Sequence, residues 1–110
     1  MGRRLTTTEL EVFERQAVIC RAFAHPKRLQ ALDLLGRGEH KTSALQEALG
    51  ISKANFSQHL AILKAAGVVT ARRKGRSVYC SLALPEVKQA CQRIREVLRG
   101  QIRRQHKIVS

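Results

Sequence analysis

Apolar residues recur at helical spacing from the start of the chain. Leu10, Phe13, Ala17, Cys20 and Ala24 follow one another at intervals of three and four residues, which places them on one face of a helix. We therefore predict a first helix over residues 7–24. A proline shortly afterwards ends this helix, because the residue before proline avoids the helical conformation.

The next segment is bounded by a proline and two glycines. Pro26 suits the first turn of a helix, and Gly36 and Gly38 stop it. This pattern predicts a second helix over residues 26–35. Its inward-facing side chains are expected to be Leu29, Leu32 and Leu35.

Residues 42–66 have the pattern of a helix-turn-helix. Ser43 and Gln46 have the spacing of a capping box, Gly50 suits a left-handed turn, and Ser52 suits the cap of a following helix. We predict a third helix that begins at Ser43 and a fourth helix over residues 53–66. The fourth helix is expected to face the core with Phe56, Leu60 and Leu63.

A hairpin and a last helix complete the chain. Alternating, β-branched residues at 68–73 and 77–84 predict two strands around the tip Lys74-Gly75-Arg76. A proline at position 85 opens a helix that is expected to run to residue 105, and residues 103–110 are predicted to fray. The apolar stripe of this helix consists of Val87, Cys91, Ile94, Leu98 and Ile102.

In order, these elements predict one mainly α domain, residues 1–110, with a small β-hairpin. The succession is that of a winged helix-turn-helix: the helix-turn-helix at 42–66 places its second helix in a DNA groove, and the hairpin at 68–84 lies on the backbone. The helices at 7–24 and 85–105 each carry an apolar stripe that a small monomer has difficulty covering. We therefore expect a two-fold dimer through these two helices. The alternative is that they cover only each other.

The chain is strongly basic, and its charge is unevenly distributed. Its 21 Lys and Arg residues against 8 Asp and Glu residues give a net charge of +13. Residues 51–110 hold thirteen of the basic residues and two of the acidic ones, and no acid lies between residues 51 and 84. This acid-free segment coincides with the predicted fourth helix and hairpin, which indicates a polyanionic partner. A generically basic surface is the alternative.

No apolar run approaches the ~20 residues needed to cross a bilayer, and the N-terminus lacks the apolar centre of a signal peptide. The cysteines Cys20, Cys80 and Cys91 are widely spaced and odd in number. Such usage favours a reduced, intracellular chain over a disulfide scaffold. We expect a cytoplasmic protein without a membrane partner.

Four segments carry a family resemblance: AHPKRL at 24–29, LGIS at 49–52, FSQHLAILKAAGVV at 56–69 and RRKGRSVY at 72–79. With these segments the chain resembles the ArsR family of bacterial and archaeal winged-helix repressors. The resemblance implies a homodimer whose first and last helices form the interface. It also implies binding to an inverted-repeat operator in double-stranded DNA, with release when an inducer binds.

Polar residues near the start of the fourth helix are candidates for reading base edges. Amide side chains can bond adenine at two atoms, lysine can reach guanine acceptors, and a helix N-terminus suits a phosphate. The basic residues of the hairpin are expected to hold the DNA backbone or the minor groove. The alternative for some of the helix residues is that they only solvate the helix and do not contact DNA. The predicted DNA-binding residues are Ser52, Lys53, Asn55, Ser57, Gln58, His59, Arg72, Arg73, Lys74 and Arg76.

The cysteines offer one candidate sensing site. Family members use cysteines on the third helix, Asp and His on the last helix, or a cysteine pair joining the second and last helices. None of these sets transfers, and the second-helix position is Asp33 here. Cys20 and Cys91, on the inward stripes of the terminal helices, could instead form a disulfide or polysulfide bridge or hold a soft metal or metalloid. Cys80 is a less favoured third metal ligand. The alternative is that the cysteines are core residues and that no cofactor is needed.

The preferred function is a sequence-specific, DNA-binding transcriptional repressor of the ArsR type. Its inducer is expected to be thiol-reactive (reactive sulfur, an oxidant, or a soft metal or metalloid) and to act at Cys20 and Cys91. The alternatives are an ArsR-type regulator with structural cysteines and a winged-helix module that binds protein or RNA. We do not expect an enzyme, because acids are few and the sequence has no evident Cys-His or Ser-His-Asp arrangement.

Overall fold

The computed structural model describes the backbone of residues 3–109 and the side chains of residues 3–106. The elements are α1 (Thr7–Phe23), α2 (Pro26–Leu35), β1 (His40–Lys41), α3 (Thr42–Leu49), α4 (Lys53–Ala65), β2 (Val69–Lys74), β3 (Ser77–Leu82) and α5 (Pro85–Val109). This mainly helical fold with a small sheet confirms the predicted class. None of the helices in the described range combines the length and apolarity that crossing a bilayer requires.

Helix starts depend on caps, and the sequence identified only some of them. A capping box that was not predicted opens α1: Thr6 Oγ1 accepts from the Glu9 backbone N–H at 3.1 Å, and Glu9 Oε2 accepts from the Thr6 backbone N–H at 2.8 Å. The predicted box at Ser43 is wrong. Helix α3 begins one residue earlier, at Thr42, and its cap residue Lys41 supplies no side-chain hydrogen bond. Lys41 belongs to β1, so strand pairing sets the direction of the chain at this point.

The sheet has three antiparallel strands in the order β1-β3-β2. Strands β2 and β3 form the predicted hairpin, with Lys74 opposite Ser77 at its tip. Gly75 takes a φ of 63° there, which the two-residue turn of a twisted hairpin requires. Strand β1 pairs His40 with Cys80 and was not predicted, because two residues carry no alternating pattern. Through β1 the hairpin is attached to the helical core.

The core forms where α2, α3 and α4 meet the sheet. The largest of its fully buried side chains are Leu32, Leu45, Leu63 and Cys80. Helix α5 joins this core only through its first turns, where Val87 and Cys91 are buried. The prediction that Leu29 faces inward is wrong: Leu29 is 39% exposed, because it lines an open groove beside α3 and α5.

The two terminal helices leave apolar side chains exposed. Helix α1 packs on α2, and α5 packs on α2 and β3, but most of the α1 stripe and the part of the α5 stripe beyond Cys91 are not covered within the chain. Cys20, predicted to face inward, is exposed for this reason. The exposed large apolar residues of these helices are Leu10, Val12, Phe13, Val18 and Ile19 on α1, and Ile94, Val97, Leu98 and Ile102 on α5.

Helix α5 is longer than predicted. It continues to Val109, so the prediction of fraying from residue 103 is wrong as far as residue 109; Ser110 lies outside the described residues. A single glycine costs a helix only ~1 kcal/mol. Gly100 is followed by good helix formers such as Gln101, Arg103 and Arg104, which offset that cost.

Candidate nucleic-acid interface

Helix α4 is capped at its start and fixed along one face. Ser52 Oγ accepts a hydrogen bond from the Asn55 backbone N–H at 3.1 Å, which confirms the predicted cap. Phe56 and Leu63 are buried, and Leu60 packs against the same core. These three positions confirm the predicted inward face. Since each helical residue turns the chain by about 100°, the opposite face of α4 is left open.

Most of the predicted base-reading residues lie on this open face. Lys53, Asn55, Ser57 and Gln58 are all exposed. Gln58 is turned roughly opposite the core side of the helix, because it lies two positions, or about 200°, from the inward-facing Phe56 and Leu60. The face therefore presents one lysine, one hydroxyl and two amides, which can bond the acceptors and donors of base edges.

The open face also contains small residues that the sequence analysis missed. Ala54 and Ala61 are exposed beside Gln58. Without long side chains at these positions the helix backbone can approach the floor of a groove, and an alanine methyl can contact the methyl of thymine. The helical period that identified the core identifies these positions as well.

His59 occupies a different place from its neighbours. It is only partly exposed, and its Nδ1 lies 3.1 Å from Nη1 of Arg28 on α2. Its ring centroid is 4.3 Å from that of His25, at an angle of 52° between the rings. Burial lowers the pKa of His59, and the nearby His25 and Arg28 lower it further. The structure thus places His59 at the contact between α4 and α2.

The β2–β3 hairpin, residues 69–82, forms the wing. Arg73, Lys74 and Arg76 are exposed at its tip, and within the described part of the chain none of them takes part in an ion pair. Lys74 and Arg76 flank Gly75 in the turn. Three exposed cations outside any ion pair of the described chain, at the end of a narrow hairpin, suit contact with phosphates.

Arg72 differs from the other wing cations because it already has a partner. Its Nε and Nη2 donate to the two carboxylate oxygens of Glu39 at 2.9 and 2.8 Å. Its guanidinium also lies 5.7 Å from the centroid of the Tyr79 ring. The hydrogen bond from Arg72 holds the pKa of Glu39 below its usual value. Arg72 therefore connects the wing to the loop that precedes β1.

The three cysteines differ in exposure, and the pairing of Cys20 with Cys91 stays a prediction. In the chain as described, Cys20 is exposed whereas Cys80 and Cys91 are buried, and all three are free thiols. Burial raises the pKa of both Cys80 and Cys91, which disfavours the reactive thiolate. The Asp33 carboxylate adds to the rise at Cys91, and Asp33 is itself paired with Arg95 at 2.9 Å. Among the described residues, no group of three or more His, Cys, Asp or Glu side chains is arranged to hold a metal ion.

A capped polar helix beside a cationic wing, on a three-helix core, defines a winged helix-turn-helix regulator. The family model for bacterial regulatory proteins of the arsR family matches residues 25–71. Rv0081 of Mycobacterium tuberculosis, described as an uncharacterised HTH-type transcriptional regulator, is 33% identical over 88 residues, or 79% of this chain and 77% of the relative. The chain belongs to the ArsR family of transcriptional regulators.

Solved structures and a named repressor agree with this assignment. The crystal structure of Rv0081 has a TM-score of 0.79 at 30% identity and covers 86% of this chain and 95% of that one. The solution structure of the homodimeric DNA-binding domain of Mb0332 from Mycobacterium bovis has a TM-score of 0.82 at 29% identity and covers 92% and 94%. The repressor SdpR of Bacillus subtilis is 41% identical over 64 residues, or 58% of this chain and 71% of the repressor. These relatives are regulators rather than enzymes, as predicted.

Proposed function

We propose that the protein is a dimeric transcriptional repressor that binds an inverted-repeat operator in double-stranded DNA. In this proposal α4 enters the major groove and the wing lies on the adjacent backbone. The observation that carries it is the exposed polar face of α4 opposite a buried apolar face. Relatives named as repressors support repression as the outcome of binding.

The residues of α4 are assigned two roles. Gln58 and Asn55 read bases, because an amide can bond adenine at two atoms. Lys53 and Ser57, one turn apart on the same side of the helix, contact guanine acceptors or the nearby backbone. The N–H groups at the capped start of α4, around Ser52, bind a phosphate.

The wing cations also divide into two groups. Arg73, Lys74 and Arg76 hold phosphates, since they are exposed and form no ion pair within the described chain. Arg72 anchors the wing through Glu39 instead of contacting DNA. With three such cations from each chain, a dimer would neutralise about six phosphates, and the affinity for DNA would fall steeply with salt.

Dimerisation is proposed through α1 and α5. Both helices leave large apolar side chains exposed, among them Phe13 at 57% and Leu98 at 51%. Contiguous apolar surface of this kind marks an interaction site. The homodimeric state of the Mb0332 domain supports a second copy as the partner. Two-fold symmetry would place the two α4 helices on half-sites about one turn of DNA apart.

For regulation, we propose that Cys20 is the thiol that a thiol-reactive inducer meets, and that Cys80 and Cys91 serve as core residues. Cys20 lies on the uncovered stripe of α1, so modification there would act on the dimer interface. The burial and raised pKa of Cys91 argue against it as the first nucleophile. Cys20→Ser should abolish release of DNA by an oxidant, polysulfide or As(III), whereas Cys91→Ser should not. Unchanged release in Cys20→Ser would contradict this assignment.

A direct test of the function is selection of bound sites from a random duplex library. The proposal predicts enrichment of one inverted repeat, bound by two chains, with half-site centres about 10 base pairs apart. A winged-helix module for protein or RNA, the alternative, would enrich no sequence and would bind duplexes only non-specifically. That result would contradict the proposal.

A further inference from the structure

The start of α2 joins the ends of two other helices. Arg28 Nε donates to the backbone carbonyl of Ala22 at 2.7 Å, and Arg28 Nη2 donates to that of Arg21 at 3.2 Å. Lys27 Nζ donates to the carbonyl of Leu49 at 2.8 Å. These carbonyls belong to the last turns of α1 and α3, where the helix dipole is negative and a cation is favourable. Two neighbouring residues of α2 thus hold the C-terminal ends of α1 and α3.

The same arginine continues to the recognition helix. Its remaining nitrogen, Nη1, lies 3.1 Å from Nδ1 of His59. Since arginine can only donate, Nδ1 of His59 must be the acceptor and carries no proton. Nδ1 of His25 is likewise an acceptor, because it receives the backbone N–H of Lys27 at 3.0 Å as the cap of α2. Both rings are therefore neutral and carry their proton on Nε2.

We propose that His25, Arg28 and His59 form a proton-sensitive contact that positions α4, so that acidification weakens operator recognition. The inference rests on the proposed DNA-binding function and adds a regulatory input to it. These three residues make up the histidine–arginine contact. In this contact His59 is a positioning residue. It follows Gln58 in the sequence, and its contact with Arg28 fixes the rotation of α4 about its own axis, which determines how Gln58 faces DNA.

Every charged side chain close to His59 disfavours an added proton. The guanidinium of Arg28 acts on His59 from the α2 side, and the ring of His25 on the same side would do so only once it is protonated. Helix α1 contributes carbonyl groups, and those are occupied by Arg28; α3 contributes the Leu49 carbonyl, occupied by Lys27. On β2, the other element packed against α4, the charged side chains are Arg72, Arg73 and Lys74. Among the described residues, no carboxylate forms an ion pair with His25 or His59.

A proton on Nδ1 of His59 removes the lone pair that accepts from Arg28. It also places a positive imidazolium against a guanidinium that its carbonyl partners hold in position. The contact must then open, and α4 loses one of its connections to α2. Burial and the neighbouring charges lower the pKa of His59, so the contact is intact at neutral pH and opens on acidification.

The experiment measures the affinity of the protein for its operator and for a random duplex at pH 7.5 and at pH 5.5. The quantity compared is the ratio of the two affinities. The ratio is used because any protonated histidine strengthens binding to both polyanions through charge alone. A single fully coupled proton could change it by about a hundredfold over two pH units; we expect the wild-type ratio to fall by about tenfold.

Two variants and one control separate the contact from other effects. His59→Asn offers an amide oxygen near the position of Nδ1 and cannot be protonated, so its ratio should not change with pH. Arg28→Lys keeps the charge, but one ammonium cannot replace a planar fork that donates to Ala22, Arg21 and His59; its ratio should be low at both pH values. His40→Asn is the matched control, because His40 lies on β1 and its Nδ1 contacts the Gly38 carbonyl instead; it should keep the wild-type pH dependence.

A second readout works without DNA. Nitrogen NMR of His59 in the free protein should show an unprotonated Nδ1 at neutral pH, and the backbone amide shifts of α4 should follow the titration of this ring. An equal pH dependence of the ratio in wild type and His59→Asn, or α4 amide shifts that do not follow His59, would overturn the proposal. A protein that binds no duplex selectively at pH 7.5 but passes the NMR test would contradict the proposed function and leave the proton-sensitive contact standing.

Discussion

Arg72 and Glu39 meet through two hydrogen bonds of 2.9 and 2.8 Å that join the wing to the loop before β1. Both side chains are accessible to solvent, with 57% and 34% of their surface exposed. Such a pair contributes little to stability, but its planar, two-bond geometry fixes direction. It sets where the wing tip, with Arg73, Lys74 and Arg76, stands relative to the helical core.

This pairing predicts different salt dependences for two arginines of the wing. Arg76→Ala should weaken binding to every duplex and lower the slope of log affinity against log salt by about one, because one phosphate contact is lost. Arg72→Ala should leave the slope unchanged. Arg72 is paired with the Glu39 carboxylate, so it neutralises no phosphate and its loss does not change the number of counterions released from DNA. Fluorescence anisotropy over a salt series measures both slopes. Equal reductions in the two variants would place Arg72 on the phosphates.

Ser52 caps a helix and Ser43 does not, which predicts different effects on stability when each is replaced by alanine. Ser52→Ala should lower the free energy of unfolding by about 1 kcal/mol, because the bond to the Asn55 N–H is lost. Ser43→Ala is the matched control: Ser43 looked like a cap in the sequence, but α3 starts before it, so the change should be within about 0.5 kcal/mol. Urea unfolding compares them. An equal loss in both variants would contradict the observed start of α3.

Ser52→Asp distinguishes the cap from the DNA contact at the same position. Aspartate caps helices as well as serine does, so stability should be retained. Its charge would face the phosphate proposed to bind the start of α4, and the affinity for DNA should fall by about tenfold or more. Retained affinity would argue that no phosphate binds there.

Much of the fold follows from local patterns in the sequence. The inward positions of α4 could be predicted from the spacing of Phe56, Leu60 and Leu63, and its start from Ser52. Features that depend on contacts between distant segments could not be predicted. Strand β1 has two residues and is defined only by pairing with β3. The contact of His59 with Arg28 joins residues 31 positions apart; the helical period places His59 beside the inward face of α4 but does not identify its partner.

The exposed stripes of the terminal helices predict that one charge will separate the dimer. Phe13→Glu places a carboxylate in the middle of the apolar stripe of α1, and burying it without a partner is strongly unfavourable. Sedimentation should show a monomer, and the affinity for an inverted repeat should fall by at least about tenfold. Leu84→Glu is the control, because Leu84 is 60% exposed but precedes α5, outside both stripes. Dissociation by both variants, or by neither, would contradict the proposed interface.

The lowered pKa of His59 predicts how stability depends on pH. In the unfolded chain His59 titrates near its ordinary pKa of about 6.5, and in the folded chain it titrates lower. Its contribution is therefore complete above about pH 6.5 and is lost as the pH falls from there through the folded pKa, where the unfolded chain binds more protons. Urea unfolding at pH 7.5, 6.0 and 5.0 should show this loss. His59→Asn should show a smaller loss over the same range, and an identical loss would assign the effect to other groups.

Gln58 provides the most direct test of whether α4 reads DNA. The measurement is the affinity of wild type and Gln58→Ala for the selected inverted repeat and for a scrambled duplex of the same length and composition. We predict that Gln58→Ala loses about 1–3 kcal/mol of discrimination between the two duplexes while its affinity for the scrambled duplex is nearly unchanged. Gln89→Ala, an exposed glutamine on α5, should keep the wild-type discrimination. Equal losses on both duplexes in Gln58→Ala, or full discrimination without the Gln58 amide, would contradict base reading by this helix.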